Sequence, residues 1–573
     1  MSLWAQANLT ETSHFQLSPF TGKFGEKVLV FKPDMNTATM QAAIDSLSRQ
    51  QARAQFGRER YALLFKPGEY DLDVTVDYYV EATGLGKTPG EVRINGTVQS
   101  VTTTDNNNVT IMFWRAASNF DVRPKSKAEP VYWAVSQAAP YRRMHIHGDL
   151  QLDRGGWASG GLLANSIVEG QARLTSGQQW FTRNSELGSW AGGNWNRSFV
   201  GTKGTPQTLW PVEPNTVIAT TPVIREKPFL VVNGDDTYSV FVPALKHDTR
   251  GVSWNDGKEA GRLIGLEEFH VAYPGTDTDA TLNAALSAGK HLLLTPGIYP
   301  LEDAIRVSRP DTVILGLGIP TLVPQTGKAA LRTADVPGVV IAGVMVDAGL
   351  VESPVLIEIG PHGSDADHVD NPASLHDIYC RVGGAISGKA QACLVINSND
   401  VIVDHTWLWR ADHGAGAEWD LNTCANGLIV NGDKVTVYGL FNEHFQEYQT
   451  LWNGERGRTY FYQSEVPYDP PDQESFMAGA TLGYASYKVA ESVRNHAAWG
   501  LGIYSFFGVR EDQDPEVSLQ SAIECPEGKG IRFTHINTFA GGFGGIHHSL
   551  NDKGPATFAK SLRFFKGMNP QEE

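Results

Sequence analysis

The feature of this sequence that most constrains its fold is a short repeat in its second half. The segment NGDKVTVYGLFNEH contains Glu443 and the segment NGERGRTYFYQSEV contains Glu465, so the offset between the two glutamates is 465 − 443 = 22. The flanking residues keep this offset, because Asn431-Gly432 returns as Asn453-Gly454. A repeat of about 20–30 residues is the length of one coil in a parallel β-solenoid. Equal positions in such a repeat lie on neighbouring coils, so we expect the two carboxylates to be close together.

A second, longer repeat divides the chain into two halves. In each half a segment with helical spacing (NTATMQAAIDSL, TDTDATLNAALSAG) is followed by an apolar strand and a Pro-Gly turn (YALLFKPGEY, HLLLTPGIYP). Pro67-Gly68 in the first half matches Pro296-Gly297 in the second. We therefore predict two domains, residues 1–255 and residues 256–573, each of which opens with a capping helix.

Length and composition favour a globular protein rich in strands. At 573 residues the chain is too long for one ordinary core, and 41% hydrophobic with 19% charged residues argue against disorder. The 59 glycines and the Asn-Gly and Asp-Gly pairs indicate many short strands joined by turns. Because VVIAGVMVDAG, NDVIVDHTWLWRAD and DKVTVYGLFNEH follow one another as strands that end in turns, we predict an all-β parallel solenoid. A β-sandwich would not keep the same residues at this period.

Three tryptophans in the first half have nearly the same spacing as the coils. The offset from Trp133 to Trp157 is 157 − 133 = 24, and the offset from Trp157 to Trp180 is 180 − 157 = 23. Each coil of a solenoid buries its apolar face only against its neighbours, so side chains at equal positions stack. We therefore expect these three side chains to form a buried ladder.

The charge and the termini bear on partners and location. A formal net charge of −16 disfavours nucleic acid and anionic membranes as partners, whereas a neutral glucan would be indifferent to it. No segment has the apolar length that a transmembrane helix needs. The N-terminus, MSLWAQANLT, lacks the charged and apolar regions of a signal peptide. If this protein is exported, we therefore expect that its signal peptide has been removed.

Metal sites are not indicated by the sequence. His145 and His147 alternate on one face of a strand, but nothing nearby in the chain completes a ligand set, so we predict packed or hydrogen-bonded histidines. The cysteines contain no CxxC pair, which also argues against zinc. One or two disulfides are compatible with their spacing, and the pairing is left open; the four residues are Cys380, Cys393, Cys424 and Cys525.

The longest motifs resemble a known family. The stretch VTVYGLFNEHFQEYQTLWNGERGRTYFYQSEVPYDPP, together with WAVSQAAPYRRMHIHGDL and GGWASGGLLANS, closely resembles glycoside hydrolase family 55. This resemblance implies a β-1,3-glucanase (laminarinase), exo-acting and inverting, that is secreted and without cofactor. Because two docked β-helices would already bury large interfaces, we expect a monomer. It also implies two tandem right-handed parallel β-helices of the pectate-lyase-like type, side by side, with the active site between them. The implied partner is a β-1,3-glucan polysaccharide such as laminarin or curdlan.

The resemblance also implies roles for individual residues. Glu465 matches the family's general acid and Glu443 the carboxylate that helps to activate the nucleophilic water. Gln137 and Ser159 match polar groups that hold this water, and Tyr468 matches a tyrosine beside the acid.

The residues themselves suggest how the two glutamates differ. Glu465 lies among Tyr462, Val466 and Tyr468, an apolar setting that raises a carboxyl pKa and suits a proton donor. Glu443 lies between Asn442 and His444, and we expect this more polar setting to suit an ionised base. Repulsion between neighbouring carboxylates would separate the two pKa values further.

Three other functions use the same features. Endo-acting cleavage of β-1,3-glucan would need only different loops around the groove, and loops are where such families vary. A pectin-type hydrolase or lyase would need clustered aspartates or a calcium site, and neither is present near Glu443. A glucan-binding solenoid without catalysis would bind the polysaccharide without turning it over. Neither the tolerance of β-1,6 branches nor the identity of the sugar-stacking aromatics follows from the sequence; the candidates are Trp190, Trp195, Trp407, Trp409 and Trp452.

Overall fold

The structure, a computed structural model, describes residues 20, 22–126, 128–257, 259–508, 513–514 and 516–571. The N-terminal segment MSLWAQANLT, which bears on the signal peptide, lies outside the described residues. The described part contains two α-helices, Thr37–Gln51 and Asp279–Ser287, and three short 3₁₀ turns, Pro89–Glu91, Asp105–Asn107 and Leu266–Glu268. Within it, no helix has both the length and the hydrophobicity that a membrane span requires.

A first set of parallel strands runs from residue 28 to residue 218. Its main sheet has 15 strands, and nine of them pair in chain order: Val28–Phe31, Tyr61–Phe65, Val80–Gly84, Ala116–Arg123, Pro140–Ile146, Leu162–Ala164, Gln179–Arg183, Asn196–Val200 and Asn215–Ile218. The remaining six strands of this sheet are Gly68–Tyr70, Val92–Asn95, Val131–Tyr132, Leu150–Gln151, Ile167–Leu174 and Glu186–Gly192. A separate parallel pair is formed by Asp73–Thr75 and Thr97–Gln99.

A second set of strands runs from residue 269 to residue 568. Its larger sheet contains 14 strands: Phe269–Ala272, His291–Leu294, Ile298–Leu301, Val313–Gly316, Thr321–Pro324, Val340–Ala342, Met345–Asp347, Ser374–Val382, Ile402–Arg410, Thr436–Glu443, Gly457–Glu465, His496–Ser505, Ile531–Ala540 and the antiparallel Ser561–Met568. An eight-stranded parallel sheet contains Ile305–Val307, Leu331–Thr333, Ile357–Ile359, Ala392–Ile396, Asn426–Val430, Thr450–Trp452, Tyr487–Val489 and Ile523–Glu524. The predicted all-β fold with parallel strands is confirmed.

Antiparallel strands separate the two sets. Thr221–Ile224 pairs with Lys246–Thr249, and Tyr238–Pro243 pairs with both Phe229–Val232 and Gly261–Gly265. The predicted boundary between residues 255 and 256 lies within this region, and the last of these sheets has strands on both sides of it. The division of the chain at this point stays a prediction, as does the handedness of the coils. Small sheets near the C-terminus are formed by Met477–Ala478 with Thr481–Leu482, and by Ser518–Ser521, Gly545–His548 and Thr557–Phe558.

The long central strands of the second set are buried on both faces. On one face Leu375, Ile378 and Cys380 belong to the core of the second set. On the other face Tyr379 and Trp407 pack in a cluster shared with side chains of the first set. The strands Ser374–Val382 and Ile402–Arg410 are buried at every position although they carry polar as well as apolar residues. Their aspartates Asp377 and Asp404 form buried ion pairs with Arg142 of the first set. This shared cluster, together with buried ion pairs, fixes the two sets against each other.

The predicted opening of each half is confirmed. The two helices bury Met40 and Ile44 in the first half and Leu282 and Leu286 in the second. Both Pro-Gly turns place their glycine at positive φ, 146° at Gly68 and 157° at Gly297, against a proline side chain that a Cβ atom would meet. The Pro-Gly repeat in the sequence therefore corresponds to the same backbone geometry in both halves.

Two other expectations are corrected by the structure. Trp133 and Trp180 are buried as expected, but Trp157 is 57% exposed because its loop faces a cavity, so the three-residue ladder is wrong. All four cysteines are buried and free, so the one or two disulfides compatible with their spacing do not form. The cysteine side chains fill core positions as small apolar groups.

Candidate active site

Two glutamates occupy equal positions on neighbouring strands. Thr436–Glu443 and Gly457–Glu465 pair in parallel with Glu443 directly opposite Glu465, as the repeat predicts. Neighbouring strands of a sheet are about 4.8 Å apart, so two side chains in this register leave the sheet side by side. Both carboxylates stand at the carboxyl ends of their strands.

The carboxylate of Glu443 is held by groups from both sets of strands. Its Oε1 accepts a hydrogen bond of 3.0 Å from Gln137 Nε2, and its Oε2 accepts one of 2.8 Å from Trp407 Nε1. Glu443 is only 2% exposed. Gln137 has φ of 35° and His444, directly after Glu443, has φ of 68°, left-handed conformations that are costly for residues other than glycine. The backbone is therefore strained on both sides of this contact.

The carboxylate of Glu465 has a different set of partners. Its Oε2 accepts a hydrogen bond from the Tyr468 hydroxyl, and its Oε1 accepts one of 3.1 Å from Gln463 Nε2. His444 Nε2 lies 3.9 Å from Oε2. The side chain remains 14% exposed and faces the cavity described below. Glu465 is thus the member of the pair that a bound molecule can reach more easily.

Burial raises the pKa of both carboxyl groups. The pKa of Glu443 lies well above its usual value because burial disfavours its charge and the charge of Glu465 adds to this, against the hydrogen bonds from Trp407 and Gln137. The pKa of Glu465 is raised by burial, against the opposing charge of His444 and the hydrogen bond from Tyr468. The expectation that Glu443 lies in the more polar setting is therefore wrong, because its strand end is covered by the first set. Two coupled buried carboxyls retain a shared proton above the usual glutamate range.

A cavity of about 730 Å³ opens over the two glutamates. Both sets of strands contribute to its wall, and most of its large side chains are aromatic: Phe113, Trp157, Trp195, Trp407, Trp409, Tyr468, Tyr504, Phe506 and Phe539. Polar groups between them come from Thr110, Gln137, Ser159, Gln178, Asp412, His413, His444, Ser505 and Lys560. Aromatic faces with polar groups between them suit sugar rings, which have apolar faces and hydroxyl edges.

All five residues predicted for the site line this cavity. The fold brings together Gln137 and Ser159 from the first set of strands with Glu443, Glu465 and Tyr468 from the second. The backbone N–H of Ser159 donates a 2.9 Å hydrogen bond to Ser136 Oγ, which holds its loop against the coil that carries Gln137. The side-chain Oε1 of Gln137 has no hydrogen-bond partner among the described residues.

The structure also identifies contacts that the sequence did not reveal. Trp407, considered only for sugar stacking, directs its N–H to Glu443, and His444 faces Glu465. The offset 443 − 407 = 36 differs from the offset between the two glutamates, so nothing in the repeat links Trp407 to Glu443. Of the other candidate aromatics, Trp195 and Trp409 line the cavity. Trp452 is buried in the core of the second set and Trp190 packs on Phe199.

Paired glutamates beneath a cavity lined with aromatic rings, on a parallel β-solenoid, place this protein in the class of polysaccharide-cleaving glycosidases. Residues 269–465 match the model of the LAM55 pectate lyase-like domain. Over 540 residues the chain is 45% identical to an exo-beta-1,3-glucanase of Streptomyces sp. (strain SirexAA-E / ActE), a match that covers 94% of this chain and 88% of that protein. The chain therefore belongs to glycoside hydrolase family 55.

Solved structures agree with this assignment. The structure of sacteLam55A from Streptomyces sp. SirexAA-E superposes with a TM-score of 0.92 at 44% identity, covering 96% of this chain and 99% of that one. A glutamate-to-alanine variant of sacteLam55A in complex with glucose superposes with the same TM-score at 43% identity and the same coverage. The resemblance inferred from the motifs is confirmed over nearly the whole chain.

Proposed function

We propose that this protein is an exo-acting β-1,3-glucanase that hydrolyses laminarin-type glucan and releases glucose with inversion at the anomeric carbon. The observation that carries the proposal is the in-register pair Glu443 and Glu465 beneath an aromatic cavity. Its relative at 45% identity is an exo-beta-1,3-glucanase, and the solved variant of sacteLam55A holds glucose. The proposal does not require a metal or another cofactor.

Glu465 is the general acid in this proposal. Its carboxyl group faces the cavity, and burial raises its pKa, which keeps a proton available for donation. The proton passes to the glycosidic oxygen as the bond between this oxygen and the anomeric carbon breaks. The hydroxyl of Tyr468 donates to Oε2 of the same carboxyl group and so fixes its orientation.

Glu443 and Gln137 act on the water. A water oxygen attacks the anomeric carbon, and the proton that it loses passes to the Glu443 carboxylate. The N–H groups of Gln137 and Trp407 favour the charged form of this carboxylate, against the burial and the charge of Glu465 that raise its pKa. Oε1 of Gln137 is free to accept a hydrogen bond from the water, and Ser159 supplies a second polar group on the same wall.

Product analysis on laminarin tests the reaction type and the stereochemistry together. We expect glucose as the first product by chromatography, and its α-anomer as the first anomer seen by NMR, because water attacks the face opposite the leaving group. Longer oligosaccharides as first products would favour endo action. The β-anomer appearing first would show that one glutamate forms a covalent intermediate. Binding without any glucose release would identify a non-catalytic solenoid.

We also propose that the protein acts outside the cell as a monomer. A glucan polymer is too large to cross a cell membrane, so an enzyme that degrades external glucan acts outside the cell. The two sets of strands already cover each other through a shared apolar cluster. Activity in the culture supernatant of the native host and light scattering after size-exclusion chromatography test these two points. Activity confined to cells, or a dimer mass, would contradict them.

A further inference from the structure

A cluster of metal-ligating side chains lies on the first set of strands, away from the cavity. Asp121, His145 and His147 each direct a ligand atom to one place, and these atoms lie within 4.8 Å of one another. Glu169 approaches from the next strand, with Oε1 3.0 Å from His145 Nε2 and 3.0 Å from His147 Nδ1. None of these four residues has a role in the proposed hydrolysis.

The strand register produces this arrangement. Asp121 lies directly opposite His145, and Ile146 lies opposite Val168, so the next positions bring His147 beside Glu169. The four side chains therefore form a compact patch that spans three neighbouring strands. The chain near His145 and His147 provides no further ligand, which is why the sequence argued against a metal; the third ligand, Asp121, comes from a neighbouring coil. The histidines are hydrogen-bonded, as expected, but the expectation that no ligand set surrounds them is wrong.

The distances suit a four-coordinate transition metal. Ligands about 2.0–2.2 Å from a zinc ion at the centre of a tetrahedron are about 3.3–3.6 Å from each other. The observed separations are 3.2 Å between His147 Nε2 and Asp121 Oδ2 and 3.8 Å between His145 Nδ1 and the same oxygen. These two values bracket this range. The 3.0 Å contacts of Glu169 are made to the other nitrogen of each ring, His145 Nε2 and His147 Nδ1, so Glu169 orients the two imidazoles and is not itself a ligand.

The groups around the cluster leave its ligand atoms able to bind a metal ion. Asp121 uses its Oδ1 to accept a 2.8 Å hydrogen bond from Arg123 Nε, so Oδ2 is the oxygen that faces the histidines. A bond of this kind orients a ligating carboxylate. The histidine side chains are 22% and 25% exposed, so an ion can reach them from solvent. Two imidazoles with a carboxylate form a donor set that suits zinc better than calcium or magnesium.

We propose that Asp121, His145 and His147 form a structural binding site for a divalent transition metal, with Zn²⁺ as the ion that fits the donor set, solvent in the fourth position and Glu169 orienting the two imidazoles. Asp121 lies on the strand Ala116–Arg123, and the two histidines lie at the end of Pro140–Ile146 and directly after it. A metal at this place cross-links two neighbouring coils of the first set, and Glu169 supports it from the third strand, Ile167–Leu174. Because the unfolded chain does not hold these ligands together, binding stabilises the folded state.

Titration of the full-length, chelator-treated protein with Zn²⁺ tests the site. We expect one equivalent to bind by calorimetry and the melting temperature to rise with the Zn²⁺ concentration, and a chelator to reverse this rise. The double variant His145→Asn/His147→Asn should lose both effects. The matched control His247→Asn/His362→Asn removes two exposed histidines outside the cluster and should behave as the wild type. Equal binding in the two double variants, or no binding to the wild type, would overturn the proposal.

A second variant guards against a simple loss of folding. Glu169 is half-exposed, so Glu169→Gln should fold normally while it weakens Zn²⁺ binding. Wild-type affinity in this variant would overturn the role of Glu169 in orienting the two imidazoles for the metal. Glucose release from laminarin should be unchanged in all three variants at a temperature well below unfolding, which separates a structural metal from a catalytic one.

Discussion

Gln137 donates a 3.0 Å hydrogen bond to Glu443, a residue 306 positions further along the chain. The donor lies on the first set of strands and the acceptor on the second, so this bond forms only when the two sets are docked. In the proposed mechanism it also joins the group that holds the water to the carboxylate that receives the proton of this water. Catalytic competence in the proposed mechanism therefore depends on the interface as much as on either set alone.

Replacing Gln137 tests this dependence. Gln137→Ala removes one of the two donors that hold the Glu443 carboxylate, and a hydrogen bond to a charged group contributes about 1.5–3 kcal/mol. We expect kcat on laminarin to fall by about 10- to 100-fold with little change in KM, because the water and not the glucan loses its contact. The control Gln178→Ala changes another amide on the cavity wall. An equal loss of kcat in the control would show that any gap in the wall has this effect.

Glu465→Gln tests the general acid. The amide cannot donate a proton to the leaving group, so we expect a loss of about 10²–10⁴-fold in kcat on laminarin. An aryl β-glucoside with an acidic phenol as leaving group needs little protonation, so its hydrolysis should be largely retained. Glu443→Gln should lose activity on both substrates, because the water is affected in each case. If Glu443→Gln retained activity on the aryl glucoside and Glu465→Gln did not, the roles of acid and base would be exchanged between the two glutamates. Glu302→Gln, at an exposed position, controls for the loss of a surface charge.

Trp407→Phe tests the electrostatic part of the site. The phenyl ring keeps most of the aromatic packing but removes the N–H that bonds Glu443 Oε2. Without this donor the charged form of Glu443 is less stable, so its pKa rises further. Activity needs ionised Glu443, so the acidic limb of the kcat/KM profile should move to higher pH. Trp409→Phe changes the adjacent ring of the cavity wall and should leave this limb in place; a shift in both variants would contradict the assignment.

The sequence predicted the elements that depend on local repetition. Glu443 and Glu465 are separated by the length of one coil. Because successive coils follow the same path, residues at equal positions in the repeat lie next to each other on neighbouring strands. The same holds for the turns at Gly68 and Gly297, where the backbone geometry itself demands the residue. Such features can be read from one chain because each is settled by contacts within a coil or between adjacent coils.

Contacts between the two sets could not be read in this way. The polar neighbours of Glu443 in the sequence suggested an ionised base in a polar setting, but the first set covers this residue. Its burial depends on the docking of the two sets, which the repeat period does not reveal. Trp157 keeps the coil spacing and yet lies on the cavity wall, since a loop can leave the coil without changing its length. The Asp121 and Glu169 carboxylates reach His145 and His147 across three strands, which the local sequence of the histidines does not show.

A buried ion network at the interface predicts strong destabilisation by one substitution. Arg183 donates to Asp404 at 2.9 Å and to Glu226 at 2.7 Å, and all three side chains are buried. Arg183→Met leaves two carboxylates buried without this partner, which costs roughly 3–5 kcal/mol for a broken buried pair. We expect a lower urea midpoint for unfolding. Arg458→Met, at an exposed position, should change it little; equal effects would mean that the charge network does not stabilise the fold.

The same network predicts how stability depends on pH. Burial disfavours the charged forms of Asp377 and Asp404, but Arg142 opposes it at both residues and lowers both carboxyl pKa values, with Lys227 acting on Asp377. A carboxyl whose pKa is lower in the folded state stabilises the fold above its unfolded pKa of about 3.9, and this contribution is lost as the pH falls towards the folded value. We therefore expect the unfolding free energy of the wild type to fall steeply below about pH 4.

Asp377→Asn isolates one carboxyl of that network. The variant should be less stable than the wild type at neutral pH, because Arg142 and Lys227 lose a charged partner. Its stability should fall less steeply in acid, since it has one carboxyl fewer to protonate on unfolding, so the two curves should converge as the pH falls. Urea denaturation at a series of pH values measures both effects, with Asp34→Asn at an exposed position as the control. Parallel curves for Asp377→Asn and the wild type would show that this carboxyl has the same pKa in the folded and unfolded chains.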